Sequence, residues 1–157
     1  MRIETEQLLL KYQKDVFRAA FVISKNRADA EDAVQETFFR YHQSEKEFDS
    51  EEHIRAWLLR TAMNLSKDLL KSFFRKNSVP YEEYEASAPF ESPEDSSLLN
   101  AVMALPVKYR TVIHLFYYEG YATKEIGGLL GLSSGNVRMR LVRAREMLKK
   151  ALGEELE

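Results

Sequence analysis

Apolar residues recur at helical spacing along nearly the whole chain, and no segment alternates as a strand for more than a few residues. Leu8, Tyr12, Val16, Ala20 and Ile23 form the stripe of a first helix. Asp29 is placed to cap a second, in which Ala33, Val34, Thr37, Phe38 and Tyr41 face inward. A loop lies within Gln43 to Ser50. Ser50-Glu51-Glu52 then opens a long third helix, with acids in the first turn where the helix dipole favours them, and the pattern runs to about Arg75. This helix separates its faces cleanly. Ile54, Leu58, Ala62, Leu65 and Leu69 make an apolar stripe, and Arg60, Asn64, Lys67, Lys71 and Arg75 lie opposite.

From Asn77 to Ser97 the periodicity lapses, and three of the four prolines fall there (Pro80, Pro89, Pro93). Prolines and like charges favour an extended linker. Ser92-Pro93-Glu94-Asp95 has the chemistry of a helix start: a cap, a first-turn proline and two acids. Leu105-Pro106 breaks that helix and begins another, which stops at Gly120. Beyond it, Ile126, Leu129 and Leu130 share one face, and Gly131 can end a helix in the left-handed conformation. Leu132 packs back, Ser133 or Ser134 caps a final helix, and Val137, Leu141, Ala144 and Leu148 form its buried stripe. That is a helix-turn-helix pattern, whose second helix normally lies in the DNA major groove. The expected fold is all-α: two small helical domains, 1–76 and 97–157, joined by an acidic flexible linker at 77–96. The C-terminal domain is the helix-turn-helix, and its tail from Gly153 to Glu157 is expected to fray.

A formal net charge of −2 over 157 residues argues against a nucleic-acid partner until it is divided along the chain. Residues 1–76 carry 14 bases and 13 acids, 77–100 carry six acids and no base, and 101–157 carry nine bases and six acids. The acidic middle therefore masks basic surfaces on either side. Cysteine is absent, so there is no disulfide framework and no thiolate metal site. His42, His53 and His114 are scattered without ligand spacing, and Glu31, Asp32 and Glu36 have no histidine or second acidic cluster to complete a metal centre. No metal, cofactor or catalytic residue is expected. No long apolar run suggests a leader or a membrane span, so a soluble cytoplasmic protein without membrane insertion is expected.

Three surfaces carry candidate function. From Ser134 to Lys150 there are six bases and one acid, and Arg138, Met139, Val142 and Arg143 lie opposite the buried stripe. The plainer reading is a helical hairpin with a solvated basic face. From His53 to Lys76 the count is again six bases to one acid, a face suited to phosphates with some base-edge contact. Trp57 sits between the two faces of that helix, either as core or as a platform for an unpaired base. On the second helix Asp32, Gln35, Glu36 and Phe39 share an outward face, and an exposed Phe among acids points to a protein partner.

These segments together resemble the sigma-70 family of bacterial RNA polymerase initiation factors, in its small extracytoplasmic-function (ECF) group. DAEDAVQETFFRY resembles region 2.2, the contact to the polymerase clamp. HIRAWLLRTAMNLSKDLLKSFFRK resembles regions 2.3 and 2.4, which melt and read the minus-10 element. LPVKYRTVIHLFYYEGYATKEIGGLLGLSSGNVRMRLVRAREMLKKAL resembles region 4, which reads the minus-35 element and binds the polymerase flap. The resemblance implies that Asp32, Gln35, Glu36 and Phe39 meet polymerase. It implies that Phe48, Asp49, Ser50, Arg60, Asn64 and Lys67, with Trp57 and Lys71 on the same helix, surround the displaced minus-10 strand. Ser134, Arg138, Met139, Arg140, Val142 and Arg143 would meet the minus-35 element, with Arg140 and Arg145 nearer phosphates. The implied partners are bacterial core RNA polymerase, promoter DNA and, as in many relatives, an anti-sigma factor; the free protein would be a monomer and not an enzyme. Two features depart from the family. Ile126-Gly127-Gly128 stands where Ile-Ala is usual, and Asn136 and Met139 stand where Thr and Ser are common. A dimeric helix-turn-helix repressor leaves the second basic helix and the acidic-aromatic face unused. A purely protein-binding module leaves Arg60, Lys67, Arg138 and Arg143 without a purpose.

Overall fold

The computed structural model describes the backbone of residues 1–77 and 97–153 and the side chains of 1–72 and 97–153. The expected linker beyond Asn77, the helix start at Ser92 to Asp95 and the tail beyond Gly153 lie outside the described residues. Among the described residues all regular structure is helical. The chain divides into two compact units, Met1–Phe73 and Phe74–Glu157.

The first unit contains α1 (Thr5–Ser24), α2 (Arg27–Gln43) and most of α3 (Glu51–Asn77). Only Lys25 and Asn26 join α1 to α2, so the two helices form a tight hairpin. Lys25 takes the left-handed conformation at φ 53° and its N–H bonds the Phe21 carbonyl, ending α1. The cap of α2 is Asn26, not Asp29 as expected: the Asn26 side chain accepts the Asp29 N–H at 2.9 Å. Asp29 sits in the first turn instead, near the positive end of the dipole. The expected stripes of α1 and α2 are buried.

In α3 the buried set differs from the simple stripe. Ile54, Leu58 and Ala62 are buried, but Leu65 is half-buried and Leu69 is exposed. Leu59, Met63, Ser66 and Leu70 are buried in their place. The buried face winds around the helix axis toward its C-terminal half, which a fixed 3.6-residue repeat read from one starting residue does not follow. Arg60, Asn64 and Lys71 remain exposed.

The second unit contains α4 (Ser97–Ala104), α5 (Val107–Ile113), α6 (Thr123–Leu130) and α7 (Ser134–Leu152). Pro106 separates α4 from α5, and its carbonyl accepts the N–H groups of Tyr109 and Arg110. Arg110 is fully buried and donates to the Leu105 carbonyl at 2.9 Å, tying the break between these helices from inside the core. Helix α5 does not run unchanged to Gly120. It widens into a π-helical turn over His114–Tyr118, and the buried His114 ring lies 3.1 Å from the Glu119 carboxylate. Gly120 then turns the chain at φ 76°.

The Glu125 carboxylate accepts the Ala122 N–H at 2.9 Å, closing the start of α6. Gly131 ends it at φ 71°, and the Gly127 carbonyl receives the Leu132 N–H at 2.9 Å. Ser133 caps α7 through the Asn136 N–H at 3.1 Å. Val137, Leu141, Ala144 and Leu148 are its buried residues, as the spacing predicts.

Candidate nucleic-acid and protein interfaces

Helix α2 buries Ala33, Val34, Thr37 and Phe38 and thereby turns Asp32, Gln35 and Phe39 outward. Phe39 is 54% exposed. Glu36 lies on the same side but is half-buried and ion-paired one turn ahead with Arg40, at 3.0 Å. Beside Phe39 a cleft of about 910 Å³ opens between α2 and the start of α1, lined by Ile3, Leu9, Gln35, Phe38 and His42 among others. Burial, followed by the repulsion of Asp32, pushes the Asp29 carboxyl above its ordinary value.

The loop between α2 and α3 is held from below by aromatic rings. Phe48 was expected to face DNA, but its side chain is 3% exposed. Its ring packs against Tyr41 (5.8 Å), Trp57 (6.0 Å) and His53 (5.0 Å). An apolar ring beside three others gains more from burial than from a solvated loop tip, so Phe48 anchors the loop. Trp57 is half-buried, with Tyr41 and Phe48 at its edges. Asp49 and Ser50 are exposed. The Asp49 N–H donates to His53 Nδ1 and the His53 N–H to Ser50 Oγ, both at 3.1 Å, so the loop passes into α3 in a fixed conformation.

Sequence reasoning missed a second anchor. The Arg2 guanidinium donates to the carbonyls of Lys46 and Tyr41, both at 2.9 Å, and lies 4.4 Å from the centre of the Tyr41 ring. The Tyr41 hydroxyl in turn donates to the Ile3 carbonyl at 2.6 Å. Arg2 lies outside any helical stripe, so periodicity gave no signal for it. From this anchored loop α3 carries Arg60, Asn64 and Lys71 on its exposed side, with Lys67 half-buried among them.

On α7, Met139 is 51% and Val142 45% exposed, opposite the buried stripe. Arg138 donates to Ser134 Oγ at 2.7 Å, and Arg140 to Asn136 Oδ1 at 3.1 Å. The Arg143 guanidinium and, after it, the Lys108 ammonium hold the Tyr109 hydroxyl below its ordinary pKa. Arg145 belongs to a different surface from the one expected: its Nε donates to the Tyr117 hydroxyl at 2.7 Å and its guanidinium lies over Phe116 and Tyr117. Tyr117 and Arg145, with Leu98, Val102, Ile113, Tyr118 and Lys149, line a cleft of about 550 Å³.

A hairpin-supported basic helix in one unit and a helix-turn-helix with an arginine-rich second helix in the other define the class: an all-α DNA-binding protein with two separate basic surfaces. The family follows from comparison with known proteins. Residues 8–76 match Sigma-70 region 2, and residues 95–148 match Sigma-70, region 4. The chain is 30% identical to the ECF RNA polymerase sigma factor SigW of Bacillus subtilis, over 90% of its own length and 84% of the relative's. It is 30% identical to the ECF RNA polymerase sigma factor SigE of Mycolicibacterium smegmatis, over 95% of its own length and 62% of that longer relative. The sigma factor RpoE of Bartonella quintana, solved with the anti-sigma factor NepR, shares the fold at a TM-score of 0.74 and 22% identity, covering 96% of this chain and 97% of that one. The chain belongs to the ECF group of the sigma-70 family, the transcription initiation factors that direct RNA polymerase to promoters. No helix among the described residues is long and apolar enough to cross a membrane.

Proposed function

We propose that the two units divide promoter recognition between them while α2 holds the protein on core RNA polymerase. The division follows residues 1–76 and 97–157, with 77–96 as connector. Asp32, Gln35, Glu36 and Phe39 form the docking face for the polymerase clamp. Asp49 and Ser50 in the anchored loop, with Trp57, Arg60, Asn64, Lys67 and Lys71 along α3, receive the displaced minus-10 strand; a base read in single-stranded form must leave the stack. Ser134, Arg138, Met139, Arg140, Val142 and Arg143 on α7 meet the minus-35 duplex. The protein supplies no bond-making step, which belongs to the polymerase, and it acts in the cytoplasm as a monomer before assembly. An anti-sigma factor is a candidate partner, as RpoE is solved with the anti-sigma factor NepR.

The observation that carries this reading is Phe39, 54% exposed between Gln35 and the acids of α2, in the same unit as the basic face of α3. With the adjoining cleft lined by Ile3, Leu9 and Phe38, this ring continues an apolar surface of the kind a protein partner covers. A double Gln35→Ala, Phe39→Ala variant should keep its helical content and lose affinity for core polymerase by tenfold or more in a pull-down titration, at ~1 kcal/mol or more for each truncated contact. Unchanged core affinity would refute the assignment of this face.

A further inference from the structure

The outward face of α7 carries two exposed apolar residues, although the helix as a whole is basic. Met139 and Val142 are 51% and 45% exposed. Two of the arginines around them are tethered to the protein's own groups: Arg138 to Ser134 and Arg140 to Asn136. Both bonds run to the residue four positions earlier, so they draw those guanidinium groups back along the helix. Between the arginines the exposed groups are a thioether and an isopropyl, framed by positive charge. One turn beyond Val142 stands Glu146, an acid that phosphates repel.

We propose that Met139 and Val142 read thymine methyl groups, so that the protein selects A·T pairs in a fixed orientation at neighbouring positions of the minus-35 element. This rests on the reading of α7 as the helix that enters the major groove. The charge around the pair favours a polyanion as its occupant, and the thymine C5 methyl is the apolar group that base pairs present on the floor of the major groove. The spacing also fits. Residues three apart on a helix are separated by about 4.5 Å along its axis, close to the ~3.4 Å step between successive bases. Arginine alone would favour guanine, and a short Ser at position 139 would accept several bases. A Met there converts a tolerant position into an apolar one.

The test uses the full chain with core polymerase and duplexes selected from a library randomised over the minus-35 element. Each thymidine of a selected element is then replaced by deoxyuridine, which removes only the methyl group, and initiation is measured. Selected elements should carry neighbouring A·T pairs, and loss of the methyl at each should reduce initiation about fourfold, as expected for one buried methyl-sized group. Met139→Ala should abolish the uridine effect at one position and Val142→Ala at its neighbour, while Met139→Leu retains it. Both positions are exposed and Ala favours helices, so helical content should be unchanged in each variant. Uridine tolerated throughout an element whose scrambling still abolishes initiation would overturn the proposal and leave the docking of α7 intact. Initiation indifferent to the whole minus-35 sequence would overturn both.

Discussion

Two adjacent glycines in α6 should respond to alanine in opposite directions. A Cβ built on Gly128 meets nothing within 4 Å, whereas one built on Gly127 falls 2.5 Å from the Leu132 carbonyl oxygen. Both positions are helical, so each replacement gains about 1 kcal/mol from the lower conformational freedom of Ala in the unfolded chain. At Gly128 nothing opposes that gain. At Gly127 the obstacle is backbone, in the turn where the Leu132 N–H already bonds the Gly127 carbonyl at 2.9 Å. Relief requires the turn between α6 and α7 to move, and overpacking of this kind costs about 1–3 kcal/mol. Gly127→Ala should therefore fall between neutral and ~2 kcal/mol destabilising. In a domain of 60–100 residues 1 kcal/mol shifts Tm by about 4–8 °C, so calorimetry on the full chain should resolve the pair in the transition of the C-terminal unit. Gly128→Ala should raise it by several degrees and Gly127→Ala should leave it unmoved or lower it. Equal increases for the two variants would show that the turn absorbs a methyl group freely and would refute the close-approach argument.

Other perturbations separate the remaining surfaces. Arg143→Ala should flatten the preference among minus-35 variants, since a bidentate arginine–guanine contact gives about 1–3 kcal/mol of discrimination, as read in a promoter point-mutant series. Lys150→Ala, near the end of α7, should weaken all variants alike and lower the salt slope of DNA binding by roughly 0.9. The free protein should bind duplex promoter DNA weakly at physiological salt, because core polymerase supplies the effective concentration that lets one unit follow the other; nanomolar sequence-specific binding without polymerase would contradict this. Hydrogen bonds from Lys11 and then Tyr12 hold the Glu51 carboxyl below its ordinary value of 4.5. A depressed carboxylate stabilises the fold above its unfolded pKa and loses that contribution as pH falls through its folded one. The tie between α1 and α3 should thus be complete at neutral pH and weaken below about pH 4.5, and Glu51→Gln should flatten the acid limb of a stability–pH profile.

Helix positions were legible wherever one face is buried along a straight axis. The stripes of α1, α2 and α7 match their buried residues because each packs mainly one face on its neighbours. Helix α3 was read less well, because its buried face winds from Ile54 toward Leu70 and strands Leu69 in solvent. Phe48 and Arg110 were opaque for a related reason. The loop Phe48-Asp49-Ser50 was read as facing DNA, but tertiary packing buried Phe48 beside Trp57, and no periodicity marked Arg110 as the core residue that donates to the Leu105 carbonyl. The outward-facing residues of α2 and α7 were readable as the complements of clear stripes. Their tethers, Ser134 to Arg138 and Asn136 to Arg140, needed side-chain geometry.

Run-off transcription with core polymerase on genomic promoter fragments, with and without this protein, tests the proposed function most directly. Discrete transcripts that start at defined positions only when the protein is present, and that vanish with the Gln35→Ala, Phe39→Ala variant, are the expected result. Unchanged core transcription in the presence of a folded protein that binds duplex DNA tightly by itself would contradict it.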